Sequence, residues 1–326
     1  LLTPLGESLH CERNIVELGF RSLMLWPELL STLEQYTFFQ QEGAIVVSHE
    51  QDRGDYLRFQ RHLHQHYPEH KVQSLDRTQL LSLEPELGRR FSQGLYLPQE
   101  CQIGNRKLLM ALAWQLEQEG VNWYSNSPVE TIDNHPDGCR LQIAGRLFEC
   151  DLAIDCRGIG ARRSPQTHQA APLGRLRGVR GELFQLFAPD VTLHRPIRLM
   201  HPRYQLYIAP KTKGFYVIGA TQIESDDLSP MTVRSALELL SAAYSVHSGF
   251  AEANIRQHVS QLRPAFVDNQ PKIRVQDSLI QVNGLFRHGF LIAPVVLAQV
   301  LAVINNISSN SQTELPYSDL MPVMVI

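Results

Sequence analysis

The sequence lacks the features that mark several specialised classes of protein. Its five cysteines are odd in number, scattered and never arranged as Cys-x-x-Cys, so neither a disulfide framework nor a zinc site is predicted, and a reducing cytoplasm fits best. Thirty basic against thirty-three acidic residues leave a net charge of −3, which gives no electrostatic reason to expect a nucleic-acid partner. These absences favour a small-molecule site.

Long apolar runs are also missing. The longest, residues 290–304, is broken by Pro294 and Gln299 and falls short of the ~18 to 20 residues needed to cross a bilayer, so no membrane span is predicted. The sequence begins without a methionine and without the basic-then-apolar layout of a signal peptide. We therefore expect a truncated chain rather than a secreted one.

A glycine-rich phosphate loop is absent as well. A dinucleotide-binding unit needs Gly-x-Gly-x-x-Gly directly after a strand, because only glycine lets the backbone reach a pyrophosphate at a helix N-terminus. The nearest match, Gly158-Ile-Gly160, lacks the third glycine and lies in mid-chain. It is a weak phosphate-loop candidate, and a turn after a buried strand explains it equally well. No Gly-x-Ser-x-Gly elbow supports hydrolase chemistry.

The remaining composition, 43% hydrophobic and 19% charged, is that of an ordinary globular protein. Because 326 residues exceed the ~250 to 300 at which a single core stops growing, two lobes are expected. Apolar periodicity predicts helices at 14–36 with a kink at Pro27, around Tyr56, Phe59 and Leu63, around Leu108, Leu112 and Leu116, and at 291–304. A capping box is predicted at Asp76 and Gln79.

Short β-branched and aromatic runs predict the strands. They fall at 43–49, 95–97, 121–124, 141–143, 147–150, 152–154 and 278–282, and a hairpin joins 207–209 to 215–219 in a second, antiparallel sheet. Ser229 and Pro230 are expected to begin a helix that carries Val233, Leu237, Leu240 and Tyr244 and covers this sheet.

The segment 284–289 is a loop bounded by glycines just before a predicted helix. Its backbone N–H groups and the helix dipole would converge on one point and could stabilise a negative charge, such as that of a reduced flavin near N1 and O2. The alternative is that Gly284 and Gly289 only turn the chain before the helix.

Two arginines and a tyrosine are candidate substrate anchors. The guanidinium groups of Arg263 and Arg287 match a carboxylate bidentately, and Tyr207 could add a hydroxyl donor. Taken singly, each arginine is more often a surface residue. His62, His66 and His70 would share one helix face, but Pro68 interrupts the last turn, so no metal site is predicted.

The order and spacing of several short segments carry a resemblance. Together they resemble the glycine oxidase and D-amino-acid oxidase family of FAD enzymes, most nearly the glycine oxidases of thiamine biosynthesis, over almost the whole chain. The segments are Leu1-Leu-Thr-Pro4 with Glu7, Leu83-Glu-Pro85, Ser127-Pro-Val129, Val179-Arg-Gly181, Tyr207-Ile-Ala-Pro210, Gly219-Ala-Thr221, Leu262-Arg-Pro264 with Asp268, and Phe286-Arg-His-Gly289 before Leu291-Ile-Ala-Pro294.

The resemblance implies FAD as cofactor and assigns residues to it. The segment of Leu1 and Leu2 would lie beside the flavin, the backbone of Val129 would meet the adenine, and the loop 285–291 would wrap the isoalloxazine. The cofactor contacts expected in that loop are Leu285, Phe286, Arg287, His288, Gly289, Phe290 and Leu291, and Gly158 is a further candidate. Arg263 and Arg287 would hold the substrate carboxylate with Tyr207 beside them, and no acid-base residue is implied.

The fold expected is α/β (α+β), with an incomplete Rossmann-like FAD-binding domain and an antiparallel-sheet substrate domain. The FAD-binding domain would comprise 1–38, 104–168 and 259–310, the substrate domain 39–103 and 169–258, and a C-terminal tail 311–326. Two departures from the family stand out: the first βαβ unit with its glycine loop is absent, and His288 replaces a common asparagine.

The activity implied is FAD-dependent oxidative deamination of glycine or another small amine or D-amino acid. Its partners would be the amine and molecular oxygen, and its products an imine or 2-oxo acid, ammonia and hydrogen peroxide, with a contribution to thiamine thiazole synthesis. Alternatives are a quinone-linked D-amino-acid dehydrogenase, a sarcosine-type oxidase, or a truncated non-catalytic remnant. The oligomeric state is left open, a homo-oligomer being one alternative.

Overall fold

The computed structural model describes residues 1–163, 175–201, 206–309 and 313–325. Three short 3-10 helices occupy Glu50–Asp52, Gly158–Arg163 and Ser248–Glu252. The α-helices are α1 (Pro4–Glu7), α2 (Arg13–Ser31), α3 (Arg53–His66), α4 (Arg77–Leu83), α5 (Pro85–Gly88), α6 (Asn105–Gln118), α7 (Val233–Val246) and α8 (Gly289–Ser309).

Eighteen strands accompany these helices within the described residues. They are β1 (Phe39–Gln40), β2 (Ala44–Ser48), β3 (Gln73–Asp76), β4 (Gln93–Leu97), β5 (Gln102–Ile103), β6 (Val129–His135), β7 (Gly138–Ile143), β8 (Arg146–Cys150), β9 (Ala153–Asp155), β10 (Arg177–Phe187), β11 (Ile197–Met200), β12 (Leu206–Pro210), β13 (Phe215–Gly219), β14 (Ile223–Glu224), β15 (Asn254–Ala265), β16 (Lys272–Gln276), β17 (Leu279–Asn283) and β18 (Val323–Val325).

The largest sheet has nine strands in the order β14-β10-β13-β12-β11-β2-β4-β3, with β15 paired to β10. All its pairings are antiparallel except that of β11 with β2. The predicted hairpin is confirmed, since β12 and β13 pair with Tyr207 opposite Gly219. Helix α7 packs against this sheet through Leu239, Ala242 and Ala243, as predicted, and the small alanines allow close approach.

A four-stranded sheet in the order β18-β16-β17-β9 lies beside α2 and α8. Strand β9 runs parallel to β17 and stands at the sheet's end; no strand of the described residues pairs with its other edge. The predicted strands at 141–143 and 147–150 are confirmed as β7 and β8, which form a three-stranded sheet with β6, whereas the predicted strand at 152–154 becomes β9 of the four-stranded sheet. The β7–β8 hairpin turns at Ala144 and Gly145, whose φ angles of 49° and 74° match a type I′ turn.

Helix α2 forms where predicted, and Pro27 lies inside it. It buries Ile15, Leu18 and Trp26 in a core shared with α8, which supplies Ile292 and Val295. The helix ends at Ser31 rather than near 36. The capping box at Asp76 is confirmed, because its carboxylate accepts from the Gln79 backbone at 2.8 Å and the Gln79 side chain accepts from the Asp76 backbone at 2.9 Å.

Two local predictions are wrong. Residues 121–124 form no strand although their sequence favours one, because no strand in the described chain lies beside them; Trp123 and Tyr124 are 59% and 61% exposed. Helix α7 is capped by the side chain of Thr232, which accepts from the Ser235 backbone, and not by Ser229 with Pro230.

The buried face of α7 was also misassigned. Val233, Leu237 and Tyr244 face solvent, whereas Leu240 is partly buried as expected. The stripe that faces the sheet instead runs through Ser235, Leu239, Ala242, Ala243 and Val246.

Helix α8 is longer than the predicted helix at 291–304. It begins at Gly289 and continues through Pro294 to Ser309. By length and composition it is the one helix in the described part of the chain that could cross a membrane. Core helices of soluble proteins meet the same criterion, and α8 packs Leu291, Ile292 and Val295 into the core beside α2.

The division into an FAD-binding and a substrate domain stays a prediction. The strands of the nine-stranded sheet come from 44–97 and 177–265, largely within the expected substrate domain, but β15 crosses the expected boundary at 259. The boundary at 168/169 lies outside the described residues. So do positions 311, 312 and 326 of the expected tail, whose remainder contributes β18.

Candidate active site

One cavity of about 1030 Å³ opens between the nine-stranded sheet and the loop that precedes α8. Tyr207 of β12 and Arg263 of β15 line it from the sheet, and Phe286 and Arg287 line it from the loop. The structure therefore brings all three predicted substrate anchors, Arg263, Arg287 and Tyr207, to a single space.

Arg263 is partly buried and has no acidic partner among the described residues. Its Nη1 donates to the backbone oxygens of Thr221 at 3.1 Å and Arg180 at 3.4 Å. Burial lowers the pKa of Arg263 from its usual value, and the nearby charge of Arg287 lowers it further. A partly buried cation that donates only to carbonyl groups is suited to receive an anion.

Two glycines make room for the anchors. The guanidinium of Arg263 lies over Gly181 of β10, at a point where a Cβ atom would collide with it. A Cβ on Gly219 of β13 would stand 2.8 Å from the Tyr207 hydroxyl. Burial raises the pKa of Tyr207, so the phenol is neutral and can donate.

Arg287 differs from Arg263 because it is already paired. Its Nη2 lies 2.7 Å from Oε2 of Glu7, and its Nη1 donates to Gln222 at 2.8 Å. The other carboxylate oxygen of Glu7, Oε1, lies 2.7 Å from Nη2 of Arg198. Burial opposes ionisation of Glu7, but the guanidinium groups of Arg287 and Arg198 outweigh it and hold the pKa of Glu7 well below its usual range.

A second buried carboxyl lies behind this ion pair network. Glu100 accepts from the Gly6 backbone at 2.7 Å and is 1% exposed. Burial raises the pKa of Glu100 to about 8, against the opposing influence of Arg198. Glu7 and Glu100 are therefore in different protonation states at neutral pH, with Glu7 ionised and Glu100 mostly neutral.

The loop before α8 takes an uncommon backbone path. Gly284 and Phe286 have φ angles of 75° and 48°, and Phe286 donates its N–H to Pro264 at 3.0 Å. His288 is 2% exposed and its Nδ1 has no hydrogen-bond partner in the described structure. Burial lowers the pKa of His288 to about 4, so the ring is neutral.

The predicted cofactor contacts separate into three groups. Leu1, Phe286, Arg287, Gly289 and Phe290 line the cavity. Of the others, Leu2 is buried in the core beside Cys101, the Val129 carbonyl accepts from Arg157 at 3.2 Å, and the Gly158 carbonyl accepts from Asn283 at 2.9 Å. The remaining ones, Leu285, His288 and Leu291, lie behind the cavity surface.

Several cavity residues were missed from the sequence. Arg198 of β11 stands opposite Tyr207, and Lys211 follows β12. Arg198 is the one charged residue in the apolar run Ile197–Met200, and a charged residue inside such a run was the signal available in the sequence. In the structure Arg198 is 4% exposed. Lys211 stands in the hairpin turn, where a lysine is ordinarily a surface residue.

The residues present fit the isoalloxazine end of FAD. The cavity is large enough for a planar ring system, and Gly289 at the start of the long helix α8 lines it. The sequence given contains no glycine-rich loop for the pyrophosphate.

A family model described as FAD dependent oxidoreductase matches residues 3–303. The chain belongs to this family. As an FAD dependent oxidoreductase it uses FAD as its cofactor and oxidises its substrate through it, which confirms the enzyme class and cofactor expected from the sequence.

This FAD dependent oxidoreductase is similar in sequence to a curated protein and in fold to solved oxidases. It is 34% identical over 303 residues to a Rhizobium etli protein named as thiamine biosynthesis oxidoreductase ThiO, covering 92% of this chain and 81% of that protein. Its fold is similar to that of a glycine oxidase from Geobacillus kaustophilus, with a TM-score of 0.79 and 21% identity over 97% of this chain and 85% of that one. It is also similar to that of an iminodiacetate oxidase from Chelativorans sp. BNC1, with a TM-score of 0.77 and 19% identity over 98% of this chain and 87% of that one. The mixed α/β (α+β) fold and the family resemblance are thereby confirmed.

Proposed function

We propose that this enzyme catalyses oxidative deamination of glycine or another small amine or D-amino acid, with oxygen as acceptor. The observation that carries the proposal is Arg263, a partly buried guanidinium without a carboxylate partner in the described residues, in one cavity with Tyr207 and the loop before α8. The relationship to ThiO and glycine oxidase supports amino-acid oxidation and a contribution to thiazole synthesis.

Arg263 binds the substrate carboxylate through two parallel N–H donors of its guanidinium group, and the Tyr207 hydroxyl donates to the same carboxylate. Holding the carboxylate fixes the direction of the Cα–H bond, so that positioning supplies much of the rate. FAD, when bound, accepts the hydride equivalent and passes the electrons to oxygen. No side chain of the cavity is required as an acid or base.

The charges around the cavity also favour the reactive form of the amine. The lining residues of the cavity include six basic side chains, among them Arg263, Arg198 and Arg287, against three acidic ones, Glu7, Asp227 and Glu238. A net positive surrounding disfavours an ammonium ion and lowers the pKa of a bound amine. The substrate therefore loses a proton on binding more readily than in water, and its nitrogen lone pair can assist hydride loss.

The finer assignments belong to the same proposal. Val129, Gly158 and Leu2 are proposed to contact the adenosine and flavin portions of FAD, and the two-domain division given above separates cofactor from substrate binding. The cytoplasm is the proposed location, because all five cysteines are free.

The test is to reconstitute the protein with FAD and to measure peroxide formed per amine consumed, with glycine, sarcosine and D-alanine as substrates. We expect one peroxide for each amine. Amine consumption only in the presence of a quinone, without peroxide, would assign a dehydrogenase instead. A folded, colourless protein that consumes no amine would identify a non-catalytic remnant.

A further inference from the structure

Lys211 is a second cation in the cavity whose charge meets no acidic group among the described residues. Tyr207, Ala209 and Lys211 line the same wall, because alternate residues of an extended strand share a face. The Lys211 backbone N–H donates to Phe215 at 2.7 Å, which continues the hairpin ladder one step beyond β12. Its direction into the cavity is therefore set by the sheet.

The ammonium of Lys211 is held in place by uncharged groups. Nζ donates to Oε1 of Gln102 at 2.8 Å and to the Ile103 backbone oxygen at 3.2 Å, and it lies 5.3 Å from the centre of the Phe38 ring. Burial alone lowers the pKa of Lys211 to about 8. Keeping a lysine in such a place is unfavourable unless an anion or a polar acceptor joins it.

Lys211 lies away from the carboxylate anchor. Four residues of extended chain separate it from Tyr207, which corresponds to about 13 Å along the strand. It lies instead beside the segment of Leu1 and Leu2. Leu2 pairs with Cys101 in an antiparallel bridge, which places Leu1 next to Gln102, the residue to which Lys211 donates. Lys211 thus occupies the end of the cavity formed by Leu1 and Ile103.

Leu1 is one of the residues proposed to lie beside the flavin, so the following inference rests on the proposed function. We propose that Lys211 directs its ammonium at the isoalloxazine ring and stabilises the negative charge that the ring gains on reduction. The substrate Cα–H bond breaks with its electron pair, a bond to hydrogen forms at flavin N5, and the ring acquires one negative charge. A fixed cation nearby makes this state more favourable and raises the reduction potential.

The role differs from that of Arg263. A carboxylate is matched by the planar fork of arginine, whereas a charge spread over a ring is served by a compact point charge. Two donors of Lys211 are already engaged by Gln102 and Ile103, which leaves one for the cavity. Lys211 thus stabilises the reduced ring from the side of the sheet, in addition to the helix N-terminus at Gly289.

The test compares K211M, K211Q and K211R in the FAD-loaded protein, with K213M as the matched control. Lys213 is an exposed lysine two positions along the same hairpin turn, so K213M removes an equal charge outside the cavity. The probe is sulfite, which adds to flavin N5 and leaves a negative charge on the ring, and the second measurement is the midpoint potential by photoreduction with a reference dye. Neither measurement needs an amine substrate.

We expect K211M and K211Q to weaken sulfite binding by about tenfold, as expected for loss of a unit charge roughly 10 Å away at an effective dielectric of about 20, and to lower the potential. K211R and K213M should bind sulfite like the parent. If K211M and K211Q bind FAD but keep the parent's sulfite affinity and potential, this inference is overturned while the proposed function stands. Failure of the parent to bind FAD overturns both.

Discussion

The guanidinium of Arg263 rests directly on the bare backbone of Gly181, in the neighbouring strand of the sheet. A methyl group at Gly181 would occupy the space of the guanidinium, and the flexible end of the arginine is what would move. We expect G181A to fold normally but to raise KM for the amine substrate by displacing the anchor. Steady-state kinetics together with a thermal melt would separate the two effects.

A matched control for G181A is G54A. Gly54 lies on α3 with no atom near the position of an added Cβ, and alanine favours a helix. This variant should keep the parent's KM. A G181A enzyme with unchanged KM would mean that the guanidinium does not need its present position.

Truncation of the anchor itself should have a larger effect. R263A removes the partner of the substrate carboxylate and should cost roughly 2 to 5 kcal/mol of binding, seen as a sharp rise in KM with flavin retained. Its control is R256A on the same strand, where the side chain lies over the Phe187 ring at 5.1 Å, outside the cavity. The flavin absorbance and the affinity for glycolate, a carboxylate without an amine, should be measured on both.

Glu7 pairs with two guanidinium groups, that of the buried Arg198 and that of the partly buried Arg287, so its replacement should destabilise the fold. E7Q leaves Arg198 and Arg287 without their shared negative charge, and loss of one member of a buried ion pair typically costs about 3 to 5 kcal/mol. Urea unfolding should show a lower midpoint with the same m-value. The corresponding change at the surface, E17Q, which breaks an exposed pair with Arg13, should shift the midpoint very little.

Glu100 should make stability fall as the pH rises. Its pKa is about 8 in the folded protein against an ordinary value of 4.5, so the folded state keeps a proton that the unfolded state loses. The stabilisation is fully present below pH 4.5 and is lost as the pH approaches 8, by up to about 1.4 kcal/mol per pH unit. E100Q should remove this slope, so melting temperatures of the two proteins should converge at low pH and separate, with E100Q higher, toward pH 8. Parallel profiles would contradict the assignment.

Elements whose stability is largely local could be predicted from the sequence. The hydrophobic stripe of α2, the capping box at Asp76 and the β12–β13 hairpin are each determined by residues a few positions apart. Residues 121–124 have strand propensity, but a strand also requires a neighbour, which the sequence pattern cannot supply. The face of α7 was misassigned for a related reason, since alanines that fit against a sheet are weak signals of burial.

The site residues that belong to family motifs could be predicted from the sequence. Those whose charged side chains contact residues far away in the sequence could not. Arg263, Arg287 and Tyr207 were recognised by their motifs and do share one cavity. Arg198 of β11 and Lys211 of the hairpin turn are far apart in the sequence from Glu7 and Gln102. Only the fold shows that Glu7 pairs with Arg198 and that Lys211 donates to Gln102. The difference between a paired Arg287 and an unneutralised Arg263 likewise depends on three-dimensional distances.

Strand β9 ends the four-stranded sheet with only β17 beside it in the described structure, and Ile154 at its centre is 46% exposed. Backbone groups at such an edge can accept any extended segment that presents complementary N–H and C=O groups. Solubility of the purified protein, and its tendency to self-associate during refolding, will therefore depend on what covers Ala153–Asp155. We therefore expect self-association to begin at this three-residue edge and not at the apolar helix α8.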